Sequence, residues 1–251
     1  MTAGSTHSSA TTAHQPPAAE RARTVAARPA ASLYCAGLGI SQLWGAATTR
    51  HGDVLLVVPT AGAVTTALAD SPLGDVPARL TVTDRTSLPL AHPVRGLVQL
   101  SGWVTPVTEE HMARLVLDFA DAHACDALFD VGLTATLVRL DLAEVVLEEA
   151  GMSTDVEPED FLAARPDVVS AAEAELMAAE RCALDRLSGR VQRWAGRQDD
   201  VRLLGLDRFG VRFRVQSRRG CYDVRVPFES PLEGPDGFGA AVEHLLRCGP
   251  A

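Results

Sequence analysis

Val201–Phe228 reads VRLLGLDRFGVRFRVQSRRGCYDVRVPF, three apolar-rich runs separated by two turn signals. Val201 to Leu206 predicts one strand, Asp207-Arg208-Phe209-Gly210 a turn in which Gly210 is free to take positive φ, and Val211 to Gln216 the returning strand. Ser217-Arg218-Arg219-Gly220 predicts a second turn. Cys221 to Phe228 then forms a third strand, closed by Pro227 because proline cannot donate to a ladder. Alternation puts Val211, Phe213 and Val215 on one face beside Tyr222, Val224 and Val226, and turns Arg212, Arg214 and Arg225 the other way. The expectation is a meander buried on one side, with a basic, water-facing other side. Arg212, Arg214 and Arg225 are therefore the candidate ligand-binding residues, facing either the chain's own acidic helix or an anionic ligand.

Working outward, the 251 residues are 47% hydrophobic and 22% charged, enough for one large domain or two modest ones with real cores. No apolar run approaches the length of a membrane span, and the start lacks the basic and apolar regions of a secretory signal, so a soluble cytoplasmic protein is expected. Five widely spaced cysteines without a CxxC pair suggest reduced thiols and no metal site. Lysine is absent, which reads as a compositional habit of the genome. A net charge of -9 argues against nucleic-acid binding but conceals an asymmetry. Val104–Glu180 carries 18 acids and 3 arginines, whereas Arg181–Phe228 carries 12 arginines and 5 acids. Opposite charge in consecutive regions suggests pairing within a chain or across a dimer; two separately solvated faces would give the same pattern.

Residues 1–19 form a Ser/Thr/Ala tail too polar to pack, expected to be disordered. A short helix is predicted over Ala19–Ala27, followed by strands at Ser32–Leu38, Leu43–Thr49, Val54–Pro59, Ala78–Asp84 and Val94–Val107, with a short helix over Ala63–Ala69. This spacing suits a small antiparallel barrel. Thr108–Phe129 is predicted as a helix with Thr108 as N-cap, and His123 on its apolar stripe as a packed residue. Two strands follow at Thr136–Leu142 and Glu144–Glu149, then an acidic connector with a helical turn at Pro158–Ala163. A domain boundary is placed at Arg165-Pro166-Asp167. Beyond it, Ser170 and Glu173 predict a capping box opening one long helix to Ala195. That helix carries a basic stripe, Arg186, Arg190, Arg193 and Arg197, read as a solvated face, and Glu180 where the apolar stripe should continue. Phe238 to Leu246 predicts a closing helix bearing His244.

No Walker loop, GxGxxG, HExxH or GxSxG is present, so no catalytic residue is nominated. The order of barrel, acidic helix, FLAARPD, LLGLDRFGVRF, YDVRVPF and closing helix resembles the heme-utilisation HugZ-like proteins. In these a pyridoxamine 5'-phosphate oxidase-like, FMN-binding split barrel is joined to a C-terminal domain of unknown function. The resemblance is most specific in Leu204–Gly210 and Arg225–Phe228, with Leu100-Ser101-Gly102-Trp103 its trace in the barrel. It implies an α+β fold: an N-terminal split β-barrel (20–165) followed by a helix plus three-stranded antiparallel meander module (166–251). It also implies a homodimer, heme or FMN as possible cofactor, and a tetrapyrrole or flavin as possible anionic ligand. The expected role is a binding or regulatory one in tetrapyrrole handling, with a flavin- or heme-dependent oxidoreductase, heme oxygenase-like, as the alternative. Histidines common on the family's C-terminal helix are missing between His123 and His244. Heme ligation then falls to the remaining histidines, of which His51 and His244 are the candidates, alongside His92, His111 and His123. Thr48, Thr49 and Arg50 precede a turn where a flavin phosphate could be contacted.

Overall fold

The computed structural model describes residues 15–218 and 220–248. The expected disordered tail lies for the most part outside them. The chain divides into two compact units after Pro166.

In the unit Ala18–Pro166, eight strands form one antiparallel sheet curled into a half-barrel: β1 (Ala31–Cys35), β2 (Gly39–Ser41), β3 (Gly45–Thr48), β4 (Val54–Pro59), β5 (Val76–Arg85), β6 (Val94–Pro106), β7 (Ala135–Glu149) and β8 (Met152–Val156). The order is β2-β1-β5-β6-β7-β4-β3, with β8 also on β7. β4 explains the layering. Its Val54-Leu55-Leu56-Val57-Val58 run does not alternate, and all five residues are buried, as a strand covered on both faces requires. On one side Val54, Leu56 and Val58 join Leu33, Leu80, Val98, Leu100, Val138 and Leu147. That core is closed by Ala22, Val25 and Ala26 of α1 (Ala18–Ala26) and by Phe161 of α4 (Pro158–Ala163). On the other side Leu55, Val57 and Leu137 meet Leu115 and Phe119 of α3 (Glu109–Ala122). α2 (Ala63–Asp70) bridges β4 to β5. Each large apolar side chain so buried contributes roughly 1.5–3 kcal/mol.

Several elements differ from the sequence expectation. The helix predicted to Phe129 stops at Ala122, and His123 turns to extended backbone with its N–H on the Phe119 carbonyl. Its ring packs half-buried at 6.4 Å from that of Phe119. The two strands predicted at 136–149 are one, because β6 and β7 pair along almost their whole length with a bulge at Ser101/Gly102. Gly102 fits there only for want of a Cβ, whose place is taken by the Asp141 carbonyl. The acidic connector contains a strand, β8, paired with β7.

In the unit that Asp167–Ala251 builds, β9 (Asp200–Asp207), β10 (Gly210–Ser217) and β11 (Gly220–Pro227) form a separate sheet in the order β11-β10-β9. Two two-residue hairpin loops join them, as the pairs Asp207–Gly210 and Ser217–Gly220 show. One face packs Val211, Phe213, Val215 and Val226 on Leu184, Leu187 and Val191 of α7 (Arg181–Trp194) and on Phe238, Val242 and Leu245 of α8 (Phe238–Cys248). Phe228 and Phe238 meet edge to face at 5.8 Å.

The long helix predicted from Ser170 is three: α5 (Val168–Ala171), α6 (Glu173–Ala179) and α7. The N-cap is Asp167, whose Oδ1 accepts from the backbone N–H groups of Val169 (2.9 Å) and Ser170 (2.8 Å). Ser170 and Glu173 do not form a capping box. The Ser170 hydroxyl donates to the Leu206 carbonyl (2.7 Å) and Glu173 Oε1 accepts from the Leu206 N–H (2.9 Å), so together they fill the outer hydrogen-bonding groups of an edge strand. Glu180 interrupts the apolar stripe because the helix breaks there, and its carboxylate lies against Gly239 in the first turn of α8.

Candidate functional site

The meander face bearing Arg212, Arg214 and Arg225 is neither wet nor uniformly basic. Arg214 is only 7% exposed, and its Nε and Nη2 hold both oxygens of Asp223, directly opposite on β11, at 2.8 and 3.0 Å. This is a bidentate pair. Arg212 and Arg225 face each other across the same two strands, an arrangement of like charges that is unfavourable alone. Asp223 lies 3.9 Å from Arg212, and Arg225 bonds Asp207. Alternation correctly places the three arginines on one face. Asp207 and Asp223, which pair with them, come from the same sheet. Breaking a buried pair of this kind costs about 3–5 kcal/mol.

Asp207 and Asp167 also build the first hairpin loop. Asp207 Oδ1 accepts from the Phe209 N–H at 2.9 Å, Asp167 Oδ2 from the Arg208 N–H at 3.0 Å, and the Arg208 guanidinium stacks 4.6 Å from the Phe209 ring centre. Gly210 follows where a Cβ would strike the Val226 carbonyl.

The second hairpin differs. Ser217, Arg218, Gly220, Cys221 and Tyr222 line an open cleft of about 520 Å³ with Gln198 and Asp199. Asp199 is committed: its carboxylate takes the Gly196 N–H (3.0 Å) and its carbonyl the Gln192 side-chain amide (2.7 Å). Arg218 is exposed and has no ion-pair partner among the described residues, and Tyr222 is 50% exposed. The residue types of Ser217–Gly220 predict a turn only, since nothing in them distinguishes a cleft from a loop.

The arginine stripe is for the most part the solvated face expected, with Arg186, Arg193 and Arg197 exposed and Arg190 half-buried. Arg186 pairs with Glu243, Arg190 donates to the Leu245 carbonyl (2.9 Å) and to that of Leu246, and Arg193 donates to the Gly189 carbonyl of its own helix (3.2 Å). With Glu180 at its first turn and Arg190 at its last, α8 has each end of its dipole matched by the opposite charge.

His51 and His244 lie in different units. His51 is exposed on the β3–β4 turn, with Nε2 3.0 Å from Arg50 Nε. His244 Nε2 lies 3.4 Å from Glu229. Of the residues beside that turn, Thr48 donates to the Ala26 carbonyl (3.4 Å), and the Arg50 carbonyl accepts from Arg165. Nothing in the residue pattern points to the cation beneath it. Arg23 is 1% exposed, donates to the Thr49 carbonyl at 2.7 Å and lies 5.1 Å from the Phe161 ring centre, while its Nε and Nη1 have no hydrogen-bond partner among the described residues. Burial first, then the nearby Arg165, lowers its pKa to about 10, with Asp53 opposing. Among the described residues no three His, Cys, Asp or Glu side chains gather to hold a metal ion. No helix among them is long and apolar enough to cross a membrane.

No family model and no curated protein matches the sequence. Among solved structures, the chain is similar to one described as a heme binding protein from Mycobacterium smegmatis, with a TM-score of 0.62 and 22% identity over 92% of this chain and 96% of that one. The fold is a split barrel. The barrel sheet and the three-stranded module are both part of that likeness, since it spans nearly the whole of each chain. Two further matches are a protein of unknown function from Agrobacterium tumefaciens (TM-score 0.43, 16% identity, 92% of this chain and 95% of that one) and a conserved hypothetical protein from Mycobacterium tuberculosis (TM-score 0.40, 13% identity, 55% and 88%).

Proposed function

We propose that this chain binds a tetrapyrrole and works as a binding or regulatory protein of the heme-utilisation split-barrel type, in the cytoplasm and as a homodimer. The observation that carries the reading is the likeness over both units to a structure described as a heme binding protein. The donor set supports it. Heme iron is held in proteins by His, Cys, Met or Tyr, and this chain presents His51 and His244 at the surface and Tyr222 and Cys221 in a cleft beside an arginine. A bound heme would supply a redox-active iron; the protein's part is to hold the ring and its carboxylates. In this reading Arg212, Arg214 and Arg225 shape the sheet through Asp207 and Asp223, and the ligand lies elsewhere.

The test is a titration of the purified chain with hemin, and separately with FMN, followed by absorbance and then by gel filtration. A saturable Soret shift at one hemin per chain, in a species of dimer size, is expected. A bound flavin spectrum instead would move the reading to a flavin-dependent oxidoreductase, and no change with hemin would end the tetrapyrrole reading.

A further inference from the structure

The open margin of the meander supports an inference that rests on the homodimer part of that reading and gives it a surface. β10 and β11 pair in one unbroken register, from Gly210 opposite Pro227 onward. The Phe228 N–H donates to the Phe209 carbonyl at 2.9 Å, which fixes the phase of the ladder. Val226, Val224 and Tyr222 therefore bond β10, and the backbone N–H and C=O groups of Cys221, Asp223 and Arg225 point away from it. β11 ends the sheet, and these groups meet no backbone partner among the described residues. Neither a bulge nor a proline blunts this margin before Pro227. Cys221 is exposed, and Tyr222, on the apolar face, is half-exposed.

The side chains decide what fits such a margin. Asp223-Val224-Arg225 reads acid, apolar, base, so a second copy running antiparallel meets it as base, apolar, acid. We propose that two copies of this chain join β11 to β11 about a two-fold axis at Val224, with Asp223 of each opposite Arg225 of the other. The backbone phase permits only registers two residues apart, and a shift of two either way sets Asp223 against Asp223 or Arg225 against Arg225. In the chosen register the like-charged pair Arg212 and Arg225 gains an acid from the second copy. Tyr222 comes beside Val226 of the second copy, and each Cys221 N–H meets a Pro227 carbonyl, the one backbone group that proline still offers. The Cys221 thiol stays on the open polar face.

A chain carrying Cys182→Ser and Cys248→Ser, which removes the other exposed thiols, serves as the background. Adding Val224→Cys sets the new thiol against its counterpart in a pair without mutual backbone bonds, with Cα atoms about 4.5 Å apart and within disulfide reach, so mild oxidation gives a covalent dimer on a non-reducing gel. The background gives none, because its two Cys221 residues lie about 20 Å apart in this register. Cys221→Pro removes one outward N–H from each copy and leaves the bonds to β10 whole; it raises the dimer dissociation constant about tenfold in sedimentation, with the far-UV spectrum of the parent. If the parent is a dimer but Val224→Cys cross-links no more than the background, or if Cys221→Pro dimerises as tightly, the β11 assignment is overturned while the homodimer reading stands. A parent that stays monomeric at every concentration ends both.

Discussion

Replacing Arg23 with methionine should stabilise the barrel unit, although it removes a hydrogen bond. The guanidinium is 1% exposed, and its pKa falls well below the ordinary arginine value, to about 10, chiefly through burial. A folded pKa below the unfolded one means that the unfolded chain holds the proton more firmly. The penalty is therefore fully present at neutral pH and is relieved only as pH rises above about 10 toward the ordinary arginine value. At 1.36 kcal/mol per pKa unit it amounts to roughly 3 kcal/mol. Against this, methionine gives up the 2.7 Å bond to the Thr49 carbonyl, worth about 2 kcal/mol for a charged donor. That carbonyl is not orphaned, because the Gly52 N–H also reaches it at 3.0 Å. Contact with Phe161 persists as a sulfur–aromatic one. The net expectation is a gain of about 1 kcal/mol, near 2–4 °C in melting temperature for a unit of this size. Urea unfolding reports it through Trp44 and Trp103, in a Trp194→Phe background that silences the other unit. A loss of stability by a similar amount would refute the reasoning, because it would mean that Nε and Nη1 have partners, water or an anion, that offset the burial.

Asp167→Ala removes the acceptor for the N–H groups of Val169, Ser170 and Arg208 at once, and should cost about 3 kcal/mol, with Asp167→Asn losing less. Amide exchange across α5 and the β9–β10 loop measures it, and unchanged protection would refute the assignment of Asp167 as their common cap. Maleimide at pH 8 should label the exposed Cys182, Cys221 and Cys248 first and Cys35 only on unfolding, since burial both excludes reagent and raises the Cys35 thiol pKa. Mass spectrometry after brief labelling checks the order, and early modification of Cys35 would contradict its place in the barrel core.

Local patterns were legible where one face decides everything. The meander's alternation, the turn at Asp207–Gly210 and the bare apolar run of β4 each fix their own strand, and the structure follows them closely. Long-range partners were not legible. Ser170 and Glu173 have the spacing of a capping box, yet both reach a strand more than thirty residues on, and only the sheet edge reveals why. The break at Glu180 hides in a sequence of good helix formers, since the Gly239 surface its carboxylate lies against belongs to α8. For the site, sequence found the shared face of Arg212, Arg214 and Arg225 but not the acids that satisfy it, because pairing across strands depends on register. Arg218 and Tyr222 carried no signal at all, being one more arginine and one more strand aromatic until the hairpin and the α7–β9 connection are set beside each other.

The sealing of β9 has a consequence for how copies of this chain can associate. A sheet of three strands has two edges, and Ser170 and Glu173 occupy the backbone groups of one at Leu206. Strand addition is thereby directed to β11, at the opposite margin. Two copies joined there would turn their β9 margins outward with the Leu206 groups already taken, which disfavours further strand addition at that point of this sheet.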